Sequence, residues 1–350
     1  MRYISLFSGI EAASVAWAPL GWEPIAFSEI EPFPCEVLRQ RFPDVPNLGD
    51  ITKIDWKEVI AEYGAIDLVV GGSPCQSFSI AGDRTGLQGA SGLMFEYIRA
   101  VSEIRPLWFL WENVFGALSS EGGRAFGQLL CEMVELGYEL AWRVLDAQFF
   151  GVAQRRRRVF LVGRFRTEGA VEVLFEPESL RWDYPSSAEK RQELAADLGR
   201  SVTPSDVTCM AHGQAKAEIF DDGLSPTLSL IHEAPIAAYA LRERCGKPGG
   251  GKGPLVQGDV SGSIVAHQEQ TIFAPKEQGY EVRRLTPLEC ERLQGFPDGW
   301  TAIEYRGKTA PDGPRYKALG NSFAVPVVAW IGKRIDLFER EGAEALWRSE

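Results

Sequence analysis

The sequence predicts an α/β fold, with a mostly parallel sheet carrying helices on both faces and a second, smaller, irregular domain. Two observations predict it. Residues 1–165 alternate short apolar runs with amphipathic stretches, and strand–helix–strand alternation of this kind closes into a parallel sheet. From about 166 to 282 periodicity fades into short β-like runs and turn residues, with Lys247-Pro248-Gly249-Gly250-Gly251-Lys252-Gly253 reading as a loop.

The elements follow in order. Strands are expected at Tyr3–Phe7, Pro24–Ser28, Asp67–Val70, Leu107–Trp111, Glu139–Leu145 and Arg158–Val162. Helices are expected at Ile10–Ala18, Pro34–Arg41, Trp56–Tyr63, Leu93–Ile104 and Gly123–Leu136. After Arg283 order returns. Thr286–Leu293 reads as a helix, with Thr286 as N-cap and Pro287 in the first helical position, and Val325–Arg340 reads as another. In open parallel sheets ligands bind outside the C-terminal strand ends, and the unusual sequences of this chain sit at such ends.

The bulk numbers exclude several classes. In 350 residues, 45% hydrophobic and 24% charged, no apolar run approaches a membrane span, which needs about 18–20 residues. The N-terminus reads as a strand rather than a signal peptide, so a cytoplasmic protein is expected. Cysteines 35, 75, 131, 209, 245 and 290 form no C-x-x-C pair, and the chain has 3 histidines. Neither a metal site nor a disulfide framework is expected, and free thiols suit a reducing compartment. A net charge of −11 speaks against nucleic acid as a partner, but Gly151–Arg166 holds six arginines and no acid. A local basic strip of that kind can bind phosphate.

Several residues could carry chemistry. Cys75, in Ser73-Pro74-Cys75-Gln76-Ser77-Phe78-Ser79, follows an apolar strand and Gly71-Gly72. It is either a small buried thiol or a nucleophile at the mouth of the ligand crevice. The glycine-rich segment after it (Gly82, Gly86, Gly89, Gly92) suits a lid. Glu112 ends the run Leu107–Trp111; it is a surface acid, or a buried one with a raised pKa able to donate a proton. In an extended run alternate residues share a face, so Arg156 and Arg158 point one way and Arg155 and Arg157 the other. Ser5-Leu6-Phe7-Ser8-Gly9-Ile10-Glu11 is a strand–turn–helix start without G-x-G-x-x-G. Glu29, at the end of the second strand, could accept from a ribose, and Asp50 could meet an adenine amino group.

The order of these blocks is more specific than any one of them. Phe7-Ser8-Gly9, Pro74-Cys75-Gln76, Glu112-Asn113-Val114, Gln154-x-Arg156-x-Arg158, Arg284-Leu285-Thr286 through Arg292-Leu293-Gln294-Gly295-Phe296-Pro297, and Gly320-Asn321-Ser322 resemble the ordered motifs of the DNA cytosine-5 methyltransferases. The resemblance spans the chain apart from about 166–282. It implies a Rossmann-like S-adenosylmethionine-dependent methyltransferase sheet in residues 1–165 plus 315–350. It further implies a target-recognition domain in 166–282, a connecting segment in 283–314, and a C-terminal helix folding back on the sheet.

By matched position, the resemblance implies Cys75 as nucleophile, Glu112 as catalytic carboxylate, Arg158 against the flipped cytosine and Arg156 in support. Phe7, Gly9 and Ile10, with Glu29 and Ile30, would line one side of the cofactor pocket. Asp50 and Ile51, with Pro74, Asn321 and Ser322, would line the rest. The implied cofactor is S-adenosylmethionine, with S-adenosylhomocysteine as product and no metal. The implied partner is double-stranded DNA, bound by a monomer that is nucleoid-associated when acting; a cognate restriction endonuclease is left open. Arg242, Arg244, Lys247 and Lys252 are candidate DNA contacts.

The chain departs from the family pattern in three places. Ser5 stands where an acid commonly precedes the Leu-Phe pair, Glu11-Ala12 replace paired glycines, and Ser91 replaces a loop arginine. Three alternatives compete. A tRNA cytosine-5 methyltransferase would need little of the 166–282 insertion. An NAD-dependent dehydrogenase would need the missing glycine-rich turn. A non-catalytic relative would not need Cys75, Glu112 and Arg158.

Overall fold

Six apolar runs pair into one sheet. They are β1 (Arg2–Leu6), β2 (Glu23–Ser28), β3 (Leu68–Gly71), β4 (Trp108–Val114), β5 (Tyr138–Asp146) and β6 (Arg157–Phe165), in the order β2-β1-β3-β4-β6-β5. Strands β1 to β4 run parallel, and β6 runs antiparallel to both of its neighbours, β4 and β5. The computed structural model describes residues 1–74, 92–175, 209–212, 217–220, 240–242, 255–257, 270–275 and 280–346.

Period-2 alternation sorts each strand between two cores. Tyr3, Leu68, Val70, Trp108, Leu110, Phe160 and Val162 enter one buried cluster, and Ile4, Val69, Phe109, Trp111, Val159 and Leu161 enter the other. The helices include α1 (Ala12–Trp17), α2 (Pro32–Arg41), α3 (Trp56–Tyr63), α4 (Gly92–Ile104), α5 (Arg124–Glu135), α6 (Ala170–Leu174), α7 (Pro287–Gln294), α8 (Asp312–Asn321) and α9 (Val325–Glu341). Buried residues of α1, α2 and α6 to α9 join the first cluster, and those of α3 to α5 join the second. Helices thus cover both faces, as the alternation predicts.

Two elements differ from expectation in an informative way. Strand β4 does not stop at Trp111 but runs on to Val114, because β6 pairs with it residue by residue through Val114↔Arg158. Helix α1 starts at Ala12 rather than Ile10, because Phe7, Gly9 and Glu11 all take positive φ (52°, 56° and 63°) and turn the chain first. Helix α7 starts as its sequence predicts. Thr286 Oγ1 accepts from Glu289 N (3.2 Å), while Thr286 N donates to Glu289 Oε2 (2.7 Å), so two end groups are satisfied reciprocally.

Helix α9 closes the first face. Trp17 Nε1 donates to Val328 O (3.0 Å) and Trp22 Nε1 to Asp336 Oδ1 (3.1 Å). Glu339 Oε1 accepts from Trp108 Nε1 (3.1 Å) and Arg164 Nη2 (2.9 Å). The Arg164 guanidinium also lies over the rings of Trp108 and Phe338. Arg334 donates to the carbonyls of Glu172, Val173 and Phe175, answering the open C-terminal carbonyls of α6. Residues 170–175 and 285–310 therefore pack with the large sheet.

Elsewhere, β7 (Cys209–His212) and β8 (Ala217–Phe220) form an antiparallel pair. Strands β9 (Ala240–Arg242), β10 (Leu255–Gln257), β11 (Gln270–Pro275) and β12 (Tyr280–Arg284) form an antiparallel sheet in the order β10-β9-β11-β12. A two-residue pair, β13 (Glu304–Tyr305) and β14 (Lys308–Thr309), completes the strands. Arg242 falls on β9, whereas Arg244, Lys247 and Lys252 lie outside the described residues.

Packing against the sheet centre is tight at Gly163 of β6, where an added Cβ would stand 2.0 Å from Phe109 Cε1. Phe109 is fully buried, so its ring would have to shift within a packed core. Gly163→Ala is expected to lower stability by about 3 kcal/mol. The urea midpoint measures it, and a midpoint within error of the wild type would show that the sheet centre yields.

Candidate active site

The site is built at one edge of the sheet. Strands β1 to β4 end there, and β6, running the other way, begins there. On β4, Glu112 lies opposite Phe160 and Val114 opposite Arg158. Glu112 and Arg158 are therefore diagonal neighbours on one face. Arg158 Nε stands 3.3 Å from Glu112 Oε1. Glu112 is a buried acid rather than a surface one, at 8% exposure.

Burial raises the Glu112 carboxyl above its ordinary range, while the charges of Arg158 and, less strongly, Arg156 pull it back. A carboxyl so placed holds a proton more readily than a solvated one. Arg156, 3% exposed, shows the opposite response: burial and the like charge of Arg158 push it down to about 9, against the pull of Glu112. Its Nη2 donates to Gly320 O (3.0 Å) and Ser322 O (2.7 Å), and its backbone N donates to Asp146 Oδ1 (2.8 Å). Arg155 and Arg157 are exposed, so the predicted alternation of the four arginines holds. Arg157 lies over the half-exposed ring of Phe115.

The end of β3 is fastened to β4. Asn113 Nδ2 donates to Ser73 O (3.0 Å), and Trp111 Nε1 reaches Ser73 Oγ (3.4 Å). Gly72 passes so close to Glu112 that an added Cβ would meet its carbonyl oxygen at 2.7 Å and its Oε2 at 3.1 Å. Pro74 follows, exposed, at the same edge. Cys75 and residues 76–91 lie outside the described residues. The Asn113 tie was not anticipated from sequence. Its signal was a second polar residue, beside Glu112, at the end of an apolar run.

A second group of residues surrounds the β1–α1 turn. Glu29, just past β2, spends its carboxylate on backbone: Oε2 accepts from Gly9 N (2.8 Å), and Oε1 from Ile30 N and Glu31 N (2.7 Å each). Asp50 accepts from Thr52 N (3.1 Å) and Thr52 Oγ1 (2.8 Å), and those bonds lower its pKa. Ile10 and Ile51 put their side chains into the two cores, so their backbone is what can face a ligand. Ile30 is 66% exposed beside Glu29. Phe7 is partly buried, and space opens around Gly9, where an added Cβ would meet nothing within 4 Å. Asn321, exposed at the end of α8, and buried Ser322 complete the edge.

An open glycine turn, an acid at the second strand end and an exposed apolar residue beside it suit a nucleoside-type ligand. The β3–β4–β6 edge suits a planar, polar ring needing a proton donor and a cation. Among the described residues, no group of three or more His, Cys, Asp or Glu could hold a metal, and no helix is long and apolar enough to cross a membrane.

Comparisons with known proteins show the family. The family model described as C-5 cytosine-specific DNA methylase matches residues 1–336. A protein of Escherichia phage P1 named DNA N-6-adenine-methyltransferase is 34% identical over 98% of this chain, which spans 62% of that relative's length. The type II methyltransferase M2.BsuMI of Bacillus subtilis is 31% identical over 96% of this chain and 75% of its own. Among solved structures, the Dnmt2 methyltransferase of S. pombe superimposes with a TM-score of 0.66 at 17% identity, covering 97% of this chain and 99% of that one. That last likeness is one of fold.

The raised Glu112 carboxyl has a stability consequence. Between the ordinary carboxylate pKa and the raised one, the folded chain keeps a proton that the unfolded chain has lost. Stability should therefore fall as pH rises through that window. Urea midpoints from acid to neutral pH are expected to show this fall in the wild type and a shallower one in Glu112→Gln. Parallel curves for the two proteins would refute the assignment.

Proposed function

Because the chain belongs to the C-5 cytosine-specific DNA methylase family, we propose that it transfers a methyl group from S-adenosylmethionine to carbon 5 of a cytosine in double-stranded DNA. The observation that carries this reading is the pair of buried Glu112 and partly buried Arg158 at the strand edge where Ser73-Pro74 leads into Cys75.

Carbon 5 of cytosine is a poor nucleophile. Addition of the Cys75 thiolate to carbon 6 makes the ring an enamine with electron density on carbon 5, splitting one hard step into two easier ones. The electron pair moving onto the ring reaches N3, where the proton held by Glu112 neutralises it. Arg158 suits the carbonyl oxygen at carbon 2, as a fixed cation 3.3 Å from the same carboxylate. Arg156 acts behind them, joining β6 to the carbonyls of Gly320 and Ser322. A base then removes the carbon-5 proton, and the electrons return to expel the thiolate.

S-adenosylmethionine supplies, when bound, an electrophilic methyl group on a sulfonium. The residues present fit it: Gly9 opens the β1–α1 turn, Glu29 shapes it, Ile30 offers an apolar surface, and Asp50, Pro74, Asn321 and Ser322 stand on the same edge. A stacked base hides carbon 6, so the cytosine must leave the duplex, at a cost of roughly a few kcal/mol. The part of 166–282 that follows α6 is proposed to read the target sequence, and the basic Arg155–Arg157 surface to hold phosphate.

The name of the phage P1 relative raises adenine N6 as the target. An exocyclic amine has its own lone pair and needs neither a thiolate adduct nor a proton at N3. The Glu112–Arg158 pair favours activation of a ring carbon.

Incubation with mixed-sequence duplex DNA carrying 5-fluorocytosine tests the reading, because fluorine cannot leave carbon 5 as the proton does. The wild type should be trapped covalently in a cofactor-dependent manner, and Cys75→Ala should not. Labelled methyl groups should appear in 5-methylcytosine of DNA. Label in N6-methyladenine, label in tRNA alone, or undiminished trapping by Cys75→Ala would each overturn it.

A further inference from the structure

The β1–α1 turn contains an acid that the proposed chemistry does not use. Glu11 precedes α1 at φ 63°, ψ 61°, a left-handed conformation that an L side chain resists and glycine accepts freely. Its side chain is not on the surface, at 1% exposure. Oε1 accepts from Ser14 N and Ser14 Oγ (3.1 Å each), and Ser14 Oγ in turn meets Tyr3 OH at 2.6 Å. Oε2 is buried without a hydrogen bond of ordinary geometry, although the Ser5 hydroxyl acts on the carboxyl to lower its pKa.

A bend alone would be served better by glycine. Glu11 opposes stability twice, through its backbone and through a carboxyl that burial drives up to about 7. Strain of this kind persists where the surroundings over-determine it, and it gathers at functional sites.

The place of the turn says what the strain serves. β1 lies between β2 and β3, and the chain leaves it toward both sides of the sheet. Ligands bind outside the strand ends at such a switch point. Other bonds pin the same turn, among them Gly9 N to Glu29 Oε2 (2.8 Å), Ser8 N to Ser28 O (3.1 Å), Glu11 N to Ser8 O (3.0 Å) and Trp300 Nε1 to Ile10 O (2.9 Å). Those pins hold the residues up to the bend, and the Glu11 side chain ties the bend to Ser14 in the first turn of α1.

We propose that Glu11 is a positioning residue for the methyl donor: its carboxyl, rather than its backbone shape, holds the Ser8–Ser14 turn in the form that receives S-adenosylmethionine. The inference rests on the methyl-donor reading above. Glycine at this position keeps the bend without strain but leaves Ser14 N–H and Oγ without their acceptor. Glutamine keeps an acceptor oxygen in the same place.

Calorimetric titration of the full chain with S-adenosylmethionine and S-adenosylhomocysteine, beside thermal melts, separates the roles. Glu11→Gly is expected to bind both ligands about tenfold more weakly while melting no lower than wild type. Glu11→Gln is expected to retain most of the affinity. Glu11→Gly binding as tightly as wild type would overturn the proposal. Should that variant unfold, Ser14→Ala decides: weakened binding at an unchanged melting temperature supports the tie, and unchanged binding overturns it. A wild type that binds neither ligand would instead sink the methyl-donor reading.

Discussion

The antiparallel pairing of β6 with β4 is the constraint on which the rest of the site depends. Parallel strands bring all their C-terminal ends to one edge, and β1 to β4 do so. A further parallel strand would have carried its leading arginines to the far edge. Because β6 runs against β4, its N-terminal end arrives where β4 finishes, and Arg158 meets Glu112 across the ladder. The reversal rests on β5, which pairs with β6 from Tyr138↔Phe165 to Asp146↔Arg157.

Electrostatics and packing then reinforce one another. A buried carboxyl beside two guanidinium groups is stable only if its geometry is held, since an unpaired buried charge is costly. Arg156 is held by the carbonyls of Gly320 and Ser322, and these lie directly before α9. Helix α9 is fastened to α1 and the residue before β2 through Trp17 and Trp22, and to the opposite end of the same sheet through Trp108 and Arg164. The last described stretch of the chain and the first strands thus form one body, and the charged cluster inherits its rigidity from the core rather than from a loop. The β1–α1 turn is held in the same manner, by Glu29 on one side and Trp300 on another.

Much of this was legible before any coordinates. The six strands of the large sheet, the alternation of Arg155 to Arg158 and the capped start of α7 follow from local rules: period-2 burial, period-3.6 burial and side-chain capping. What local rules missed came from pairing partners. The apolar run after Pro106 ends at Trp111, yet β4 continues through Glu112 and Asn113 because β6 supplies the hydrogen bonds. The start of α1 moved because three residues of the preceding turn take positive φ, two of them not glycine. The grip of Asn113 on Ser73 depends on strands 40 residues apart in sequence.

The sequence by itself therefore determined the inventory and its order: an apolar sheet with charged groups at strand ends, an acid after Leu107–Trp111, four arginines sorted to two faces, and a family pattern threaded through them. The tertiary structure alone decided which groups meet, that Glu112 is buried rather than solvated, and that Glu11 turns inward beneath the helix it caps. The physical reason is one of range. Which face a side chain takes is set by its neighbours along the chain, whereas the environment of a charge is set by whatever strand the fold lays beside it.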